Sequence, residues 1–123
     1  MMNDSPFFDE RERLFENSIG FVIYDNYPVS EGHSLIIPKR IYPDYFESTL
    51  EEIMGLNELI FKTKEFLDKK FSPQGYNIGI NCGEASGQTI NHLHIHLIPR
   101  YLDDVDDPRG GVRGVIPSKQ KYS

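Results

Sequence analysis

Residues 91–98 read Asn-His-Leu-His-Ile-His-Leu-Ile, and this alternation of histidine with apolar residues is the most informative stretch of the chain. Successive side chains on a β-strand point to opposite faces. We therefore expect one strand over residues 92–98 that carries His92, His94 and His96 on the same face. The leucines and the isoleucine between them would pack into the core from the other face.

Three further runs rich in β-branched and aromatic residues predict the other strands, over residues 19–24, 33–37 and 76–81. Between the second and third of these, apolar residues recur at helical spacing over residues 48–71. The order β-β-α-β-β indicates an α+β domain with an antiparallel sheet.

The start of the predicted helix can be placed in two ways. Ser48 with Glu51, or Thr49 with Glu52, fits the capping box in which a hydroxyl and a carboxylate satisfy each other's backbone amides. Gly55 inside the helix is a mild fault, because glycine costs roughly 1 kcal/mol relative to alanine there.

Length and composition narrow the class of protein. The 123 residues suit a single domain over 1–123, with a core over about 15–100 and an extended tail over 101–123. A single cysteine, Cys82, excludes a disulfide framework and favours a reducing, cytoplasmic compartment. The net charge of −6 argues against nucleic-acid binding through a broad basic surface, and no apolar run predicts a membrane span.

Three interpretations of the histidine face are open on spacing alone. A solvated strand face would normally carry Lys, Glu, Thr or Ser. A zinc site could use two neighbouring histidines about 6.6 Å apart, but its third ligand would have to be His33 or a carboxylate. In nucleophilic catalysis, a neutral imidazole would attack phosphorus while its neighbour donates a proton or hydrogen bond to the same phosphate.

Two segments resemble the signatures of a known family. Residues 87–100, Gly-Gln-Thr-Ile-Asn-His-Leu-His-Ile-His-Leu-Ile-Pro-Arg, are similar to the signature of the histidine triad (HIT) family of nucleotide-binding proteins and hydrolases, and residues 32–39 resemble its second signature. Residues 108–117 are similar to the tails of microbial members. The resemblance implies an antiparallel sheet of about five strands with one long helix, and a homodimer in which the sheet continues across the interface.

The resemblance gives the four histidines unequal roles. It implies that His94 is the nucleophile and forms a nucleotidyl-histidine intermediate, while His96 contacts the scissile phosphate and the leaving group. It further implies that His92 is a supporting residue and that His33 completes a hydrogen-bond network with it.

The same resemblance implies a nucleotide pocket. Asp25 would bind the ribose hydroxyls, although composition alone favours an ordinary turn there. Ile23, Phe7 or Phe8 could pack on the base. The other implied nucleotide-binding residues are Asn26, Asn81, Gly87, Gln88, Thr89 and Ile90, of which the last four would hold the α-phosphate.

Several cations are candidate contacts for a polyphosphate. Arg109 and Arg113 are set among glycines in the tail and are the preferred candidates; Lys39, Arg40 and Arg100 are the others. The zinc-binding cysteines of some family members are absent, so no structural metal and no required cofactor are expected. A divalent cation could arrive with the substrate polyphosphate.

The expected function is that of a nucleotidyl hydrolase or transferase that releases a mononucleotide from a purine nucleotide conjugate. A dinucleoside polyphosphate is the first choice of substrate, a nucleoside phosphoramidate the second, and a phosphorylase reaction the third. An alternative of another class is a nucleotide- or metal-binding module with little turnover. The expected partners are a small nucleotide and a second copy of the chain, with neither nucleic acid nor a membrane.

Overall fold

The computed structural model describes residues 5–122 and contains a five-stranded antiparallel sheet with one long helix on one face, as predicted. In chain order the elements are β1 Phe15–Glu16, β2 Gly20–Tyr24, β3 Ser34–Pro38, α1 Leu50–Phe71, β4 Gly75–Ile80 and β5 Ile95–Arg100. The strand order across the sheet is β1-β2-β3-β5-β4. The ends of the predicted domain, residues 1–4 and 123, lie outside the described residues.

The histidine strand starts later than predicted. β5 begins at Ile95, because its pairing with β3 starts at the Ile36–Ile95 pair. The backbone N–H of Leu93 donates instead to the carbonyl of Tyr42, at 2.7 Å. His92 and His94 therefore precede the strand. The separation of the two faces still holds, since Leu93 and Ile95 are both buried in the core on the helix side.

Helix α1 uses the second of the two predicted caps. Thr49 Oγ1 accepts from the N–H of Glu52 at 3.1 Å, and Glu52 Oε1 accepts from the N–H of Thr49 at 2.8 Å. Gly55 has a packing reason, because a Cβ atom there would lie 2.6 Å from the side chain of Ile19. The glycine thus lets the helix lie close to the segment that leads into β2.

The two faces of the sheet carry different cores. The helix-side core contains Val22, Ile36, Tyr42, Leu56, Leu59, Leu67, Leu93, Ile95 and Leu97. The site-side cluster on the opposite face contains Phe7, Phe21, Ile23, Leu35 and Ile37. Phe7 belongs to a single 3₁₀ turn, Pro6–Phe8, so the N-terminal segment helps to cover the second face.

The prediction of an extended tail is wrong. It contains two 3₁₀ helices, Gly111–Val115 and Pro117–Lys119. The guanidinium of Arg113 holds them together by donating to the carbonyls of Lys119 and Gln120. Within residues 5–122, no helix is both long enough and apolar enough to cross a membrane.

Candidate active site

A cavity of about 400 Å³ opens on the site-side face of the sheet, at the start of β5. Most of the predicted site residues line it, namely Asp25, Asn26, Asn81, Gly87, Thr89, Ile90, His94 and His96. His33 and His92 are buried next to it, with 3% and 1% of their surfaces exposed. The fold therefore brings all four histidines together around one cavity.

His94 has one ring nitrogen hydrogen-bonded, and its other ring nitrogen has no partner among residues 5–122. Its Nδ1 lies 2.8 Å from the carbonyl oxygen of His92, which can only accept, so Nδ1 carries the proton. In the neutral ring the lone pair is then on Nε2. The ring of Phe7 packs against the imidazole with centroids 5.0 Å apart and fixes its plane. In its neutral form the residue thus presents an unprotonated nitrogen at the cavity wall.

His96 has the opposite tautomer, set by a chain of hydrogen bonds. The N–H of Val29 donates to Nδ1 of His33 at 3.1 Å, so the proton of neutral His33 is on Nε2. That Nε2 lies 3.0 Å from Nδ1 of His96, which must accept. Neutral His96 therefore carries its own proton on Nε2. The two cavity histidines differ in the way that catalysis needs, with an acceptor nitrogen on one and a donor on the other.

His92 is held by hydrogen bonds that are separate from those joining Val29, His33 and His96. Its Nε2 donates to the carbonyl of Pro38 at 2.7 Å, and its Nδ1 accepts from the hydroxyl of Ser5 at 2.6 Å. The expected hydrogen-bond network between His33 and His92 is wrong, since His33 pairs with His96. The supporting role of His92 instead goes through its carbonyl oxygen, which orients His94.

Burial keeps the supporting histidines neutral at pH 7. Desolvation lowers the pKa of His33 and of His92 below the usual 6.5, and it lowers the pKa of His96 to about 4. The positive forms of His94 and His33 would also repel a charge on His96. The Asp25 carboxylate favours the charged form and offsets only part of these effects.

One group within residues 5–122 has the composition of a metal site. Ligand atoms of Asp25, His33 and His96 lie within 4.8 Å of one another. The hydrogen bond from Val29 nevertheless places the proton of His33 on Nε2, the atom that would have to bind the metal. In this cluster His33 instead donates to Nδ1 of His96 and so determines which nitrogen of His96 carries the proton.

Asp25 stabilises the predicted turn and also lines the cavity. Its Oδ1 accepts from the N–H of Tyr27 at 2.8 Å, which stabilises the turn after β2. Its Oδ2 lies 3.5 Å from Nε2 of His33, and the carboxylate lines the cavity. The two interpretations are therefore compatible.

The glycine-rich loop before the histidines requires glycine at two positions. Gly83 and Gly87 have φ values of +92° and +98°, which favour glycine. Gln88 differs from its predicted role, because its side chain accepts from the N–H of Gly83 and donates to the carbonyls of Pro43 and Ile90. It fastens the loop and faces a neighbouring cavity, while Gly87 and Thr89 border both.

The predicted cationic contacts lie elsewhere. Arg109 pairs with Asp107 and Arg113 binds carbonyls of the tail, and neither lines the cavity. Lys39, Arg40 and Arg100 pair with Glu16, Glu52 and Asp104. In this chain, the tail and the other predicted cations are therefore not assembled with the histidines.

The other side of the cavity was not predicted; it is formed by Pro6, Asp9, Arg11, Tyr27 and Leu35. Arg11 is the only arginine or lysine among the described residues that line it. No periodicity or motif distinguishes residues 6–11, so only their packing against β2 and the histidines identifies them.

Comparison with known proteins agrees with the geometry. The HIT domain family model matches residues 9–103. The bis(5'-nucleosyl)-tetraphosphatase of Schizosaccharomyces pombe is 38% identical over 80 residues, which cover 65% of this chain and 44% of the yeast protein. The bis(5'-adenosyl)-triphosphatase of Dictyostelium discoideum is 33% identical over 98 residues, covering 80% of this chain and 66% of that protein. This chain thus spans less than two thirds of the length of both named hydrolases.

A solved structure has the same architecture. The crystal structure of a HIT family protein from Bacillus anthracis superposes with a TM-score of 0.78 at 30% sequence identity. The match covers 85% of this chain and 78% of the Bacillus protein. The sheet and the helix are therefore shared with a member of that family.

Proposed function

This chain belongs to the HIT domain family, and from that premise we propose that it is a hydrolase of dinucleoside polyphosphates. Two of its relatives are named as hydrolases of such compounds. The reaction would release a purine mononucleotide by attack at the α-phosphorus, through a nucleotidyl-histidine intermediate on His94.

The observation that carries the proposal is the pair of opposite tautomers. His94 offers an unprotonated Nε2 and His96 an Nε2–H, and both residues line the same cavity. Their ring centroids are 5.1 Å apart, so the two rings can reach one phosphoryl group. A nucleophile beside a hydrogen-bond donor is the arrangement that displacement at phosphorus needs.

The chemistry would run in two displacements. In the first, the lone pair of His94 Nε2 forms a bond to the α-phosphorus while the bond to the bridging oxygen of the leaving group breaks. The N–H of His96 stabilises the charge that develops on the oxygens. In the second, water attacks phosphorus, the P–N bond breaks, its electron pair returns to His94, and the proton of water goes to solvent with release of the mononucleotide.

The state of His96 favours a phosphoanhydride substrate over a phosphoramidate. A polyphosphate leaves as an anion and needs only a hydrogen bond, whereas an amine leaves readily only when it gains a proton. Neutral His96 has one proton, and His33 occupies its other nitrogen. It is therefore equipped to donate a hydrogen bond and poorly equipped to give up a proton.

The remaining cavity residues would bind the nucleotide. Asp25 would accept hydrogen bonds from the ribose hydroxyls, and the loop at Gly87 and Thr89 would hold the α-phosphate with backbone N–H groups. Asn26, Asn81 and Ile90 would complete the pocket. No cofactor takes part in these steps, and a homodimer remains the expected assembly.

The test is to trap the intermediate. Diadenosine and diguanosine tetraphosphate are each mixed with the protein, the reaction is quenched in base, and the mass of the peptide that contains His94 is measured. We expect a nucleoside monophosphate adduct on His94, and turnover that falls by at least about 10³-fold in His94→Gln. A phosphoramidate with an amine leaving group should turn over more slowly than either tetraphosphate.

Two controls separate this proposal from its rivals. Cys82→Ser removes the other soft nucleophile and should retain activity and adduct. A metal-dependent module would lose function with a chelator, which should leave this reaction unchanged when the substrate is metal-free. Full activity in His94→Gln, or nucleotide binding without turnover, would overturn the proposal.

A further inference from the structure

We propose that Arg11 reads the base of the bound nucleotide, and that the protein therefore prefers a 6-oxopurine, guanine or hypoxanthine, over adenine. The inference rests on the proposed function, because it places a nucleotide in the histidine cavity. It concerns a residue for which the sequence motifs predict no role.

The position of Arg11 in the cavity is the first argument. Its Nη1 donates to the carbonyl of Tyr24 at 3.1 Å, next to Asp25 in the chain. With the α-phosphate at His94 and the ribose at Asp25, the base extends beyond the ribose. The apolar side chains of Phe7 and Leu35 line the same cavity and provide a surface for a planar ring. Arg11 is then placed to meet the edge of that ring.

Arg11 also has N–H donors that no protein group uses among residues 5–122. Its Nε and backbone N–H donate to Asp9, and both oxygens of Asp9 accept from it. Nη2 of Arg11, by contrast, has no acceptor among residues 5–122. The Asp9–Arg11 pair therefore presents free donors more readily than free acceptors.

Donors of this kind distinguish the purines. Guanine and hypoxanthine place two adjacent acceptors, O6 and N7, on one edge, and a guanidinium can donate to both. Adenine places an amino donor beside N7, and that donor would face the N–H groups of arginine. Good contacts of this type discriminate between bases by roughly 10-fold or more.

Asp9 makes the arrangement rigid. Its carboxylate binds Arg11 Nε at 2.9 Å, while the carbonyl of Tyr24 holds Nη1. The guanidinium is thus oriented by two protein groups before any ligand arrives. A preoriented fork loses less side-chain entropy on binding than a free arginine would.

A matched control is available two residues away. Arg13 carries the same charge on the same segment, but its guanidinium lies 3.9 Å from the ring centroid of Phe21 and pairs with Glu16. Arg13 does not line the cavity. Replacing either arginine by glutamine changes the net charge equally, so long-range electrostatics alone cannot separate the two variants.

The experiment is calorimetric titration of the full chain with GMP, IMP and AMP. We expect GMP and IMP to bind with similar affinity, each about tenfold tighter than AMP. Arg11→Gln should abolish this difference, and Arg13→Gln should keep it. Arg11→Met keeps a long unbranched side chain without its N–H donors and should also lose the discrimination, which covers the case in which Arg11→Gln does not fold.

The outcomes separate this inference from the proposed function. Equal binding of the three nucleotides, or tighter binding of AMP, overturns the preference and leaves the hydrolase proposal standing. Tight GMP with weak IMP overturns the role of Arg11, because the 2-amino group would then be what is read. A preference that survives in Arg11→Met overturns it as well. Failure of all three nucleotides to bind overturns both proposals.

Discussion

The two faces of the sheet are built from the same strands but covered in different ways. On one face the 22-residue helix α1 packs against the helix-side core. On the other, the three-residue turn Pro6–Phe8 and its flanking segment cover the site-side cluster and leave a cavity. Stability can therefore be concentrated on the helix face, while the opposite face tolerates the buried polar groups that the proposed reaction needs.

The two faces also differ in how their buried polar side chains find hydrogen-bond partners. Buried histidines on the site side each have hydrogen-bond partners, and each remains neutral because ionisation without water is costly. On the helix side, Thr63 is fully buried, and its hydroxyl is satisfied within the helix by the carbonyl of Leu59. Thr63 thus finds its partner within one helical turn, whereas His33 and His92 have partners 63 and 87 residues away in the sequence.

The largest expected effect on stability comes from the helix face. Leu59→Ala removes a side chain that is 1% exposed, and it should lower the free energy of unfolding by about 2–5 kcal/mol in urea denaturation. Phe61→Ala, on the same helix but 71% exposed, should change it by less than about 0.5 kcal/mol. Similar losses for the two variants would contradict the assignment of stability to the buried face.

The hydrogen-bond chain on the site face predicts a loss of rate with little loss of stability. His33→Gln removes the ring that fixes the proton of His96 on Nε2, so kcat should fall by about 10²-fold with a smaller change in KM. The pH profile of kcat should also shift, because His96 loses the donor at its Nδ1. A merely structural role would move the melting temperature and leave the shape of that profile unchanged.

As the pH falls, protonation of the buried histidines on the site face should lower the free energy of unfolding before protonation of the surface carboxylates does. The pKa values of His33, His92 and His96 are lower in the folded chain than in the unfolded chain, so below pH 6.5 the unfolded state binds more protons. Stability should be highest above about pH 6.5 and fall toward pH 4, by at most about 1.4 kcal/mol per pH unit for each histidine.

Two measurements check the acid effect. Thermal melts between pH 8 and pH 4 should show a plateau followed by a decline in the melting temperature. NMR titration of the imidazole carbons should show that the pKa values of His33, His92 and His96 all lie below 6.5, with that of His96 at about 4. Stability that is flat between pH 7 and pH 5 would contradict the prediction.

The sequence predicted the helix face well because local periodicity determines it. Helix spacing and strand alternation are local properties, and both the helix and the buried positions of Leu93, Ile95 and Leu97 were predicted. The site face depends on contacts distant in sequence. Ser5 meets His92 and His33 meets His96 across 87 and 63 residues, and no local pattern encodes either contact.

The predicted residue roles show the same limit. The motif placed His94 and His96 at one cavity, but it could not show that Gln88 would fasten its own loop or that Arg11 would enter the pocket. The start of β5 was also missed, because Leu93 bonds to Tyr42 and not to a neighbouring strand. Each of these departures involves residues outside the motif, namely Gly83 and Pro43 for Gln88, Tyr24 for Arg11 and Tyr42 for Leu93.

The smallest expected effect concerns the start of α1, where the sequence left two caps open. Thr49→Ala removes the hydroxyl that accepts from the N–H of Glu52 and should lower the free energy of unfolding by about 1 kcal/mol. Thr49→Ser keeps a capping hydroxyl and should stay close to the parent protein. Because the cap lies on the helix face, kcat should be unchanged in both variants at temperatures where they are folded. A fall in kcat with Thr49→Ala would show that the two faces are coupled, and that the division between stability and chemistry is less complete than the packing indicates.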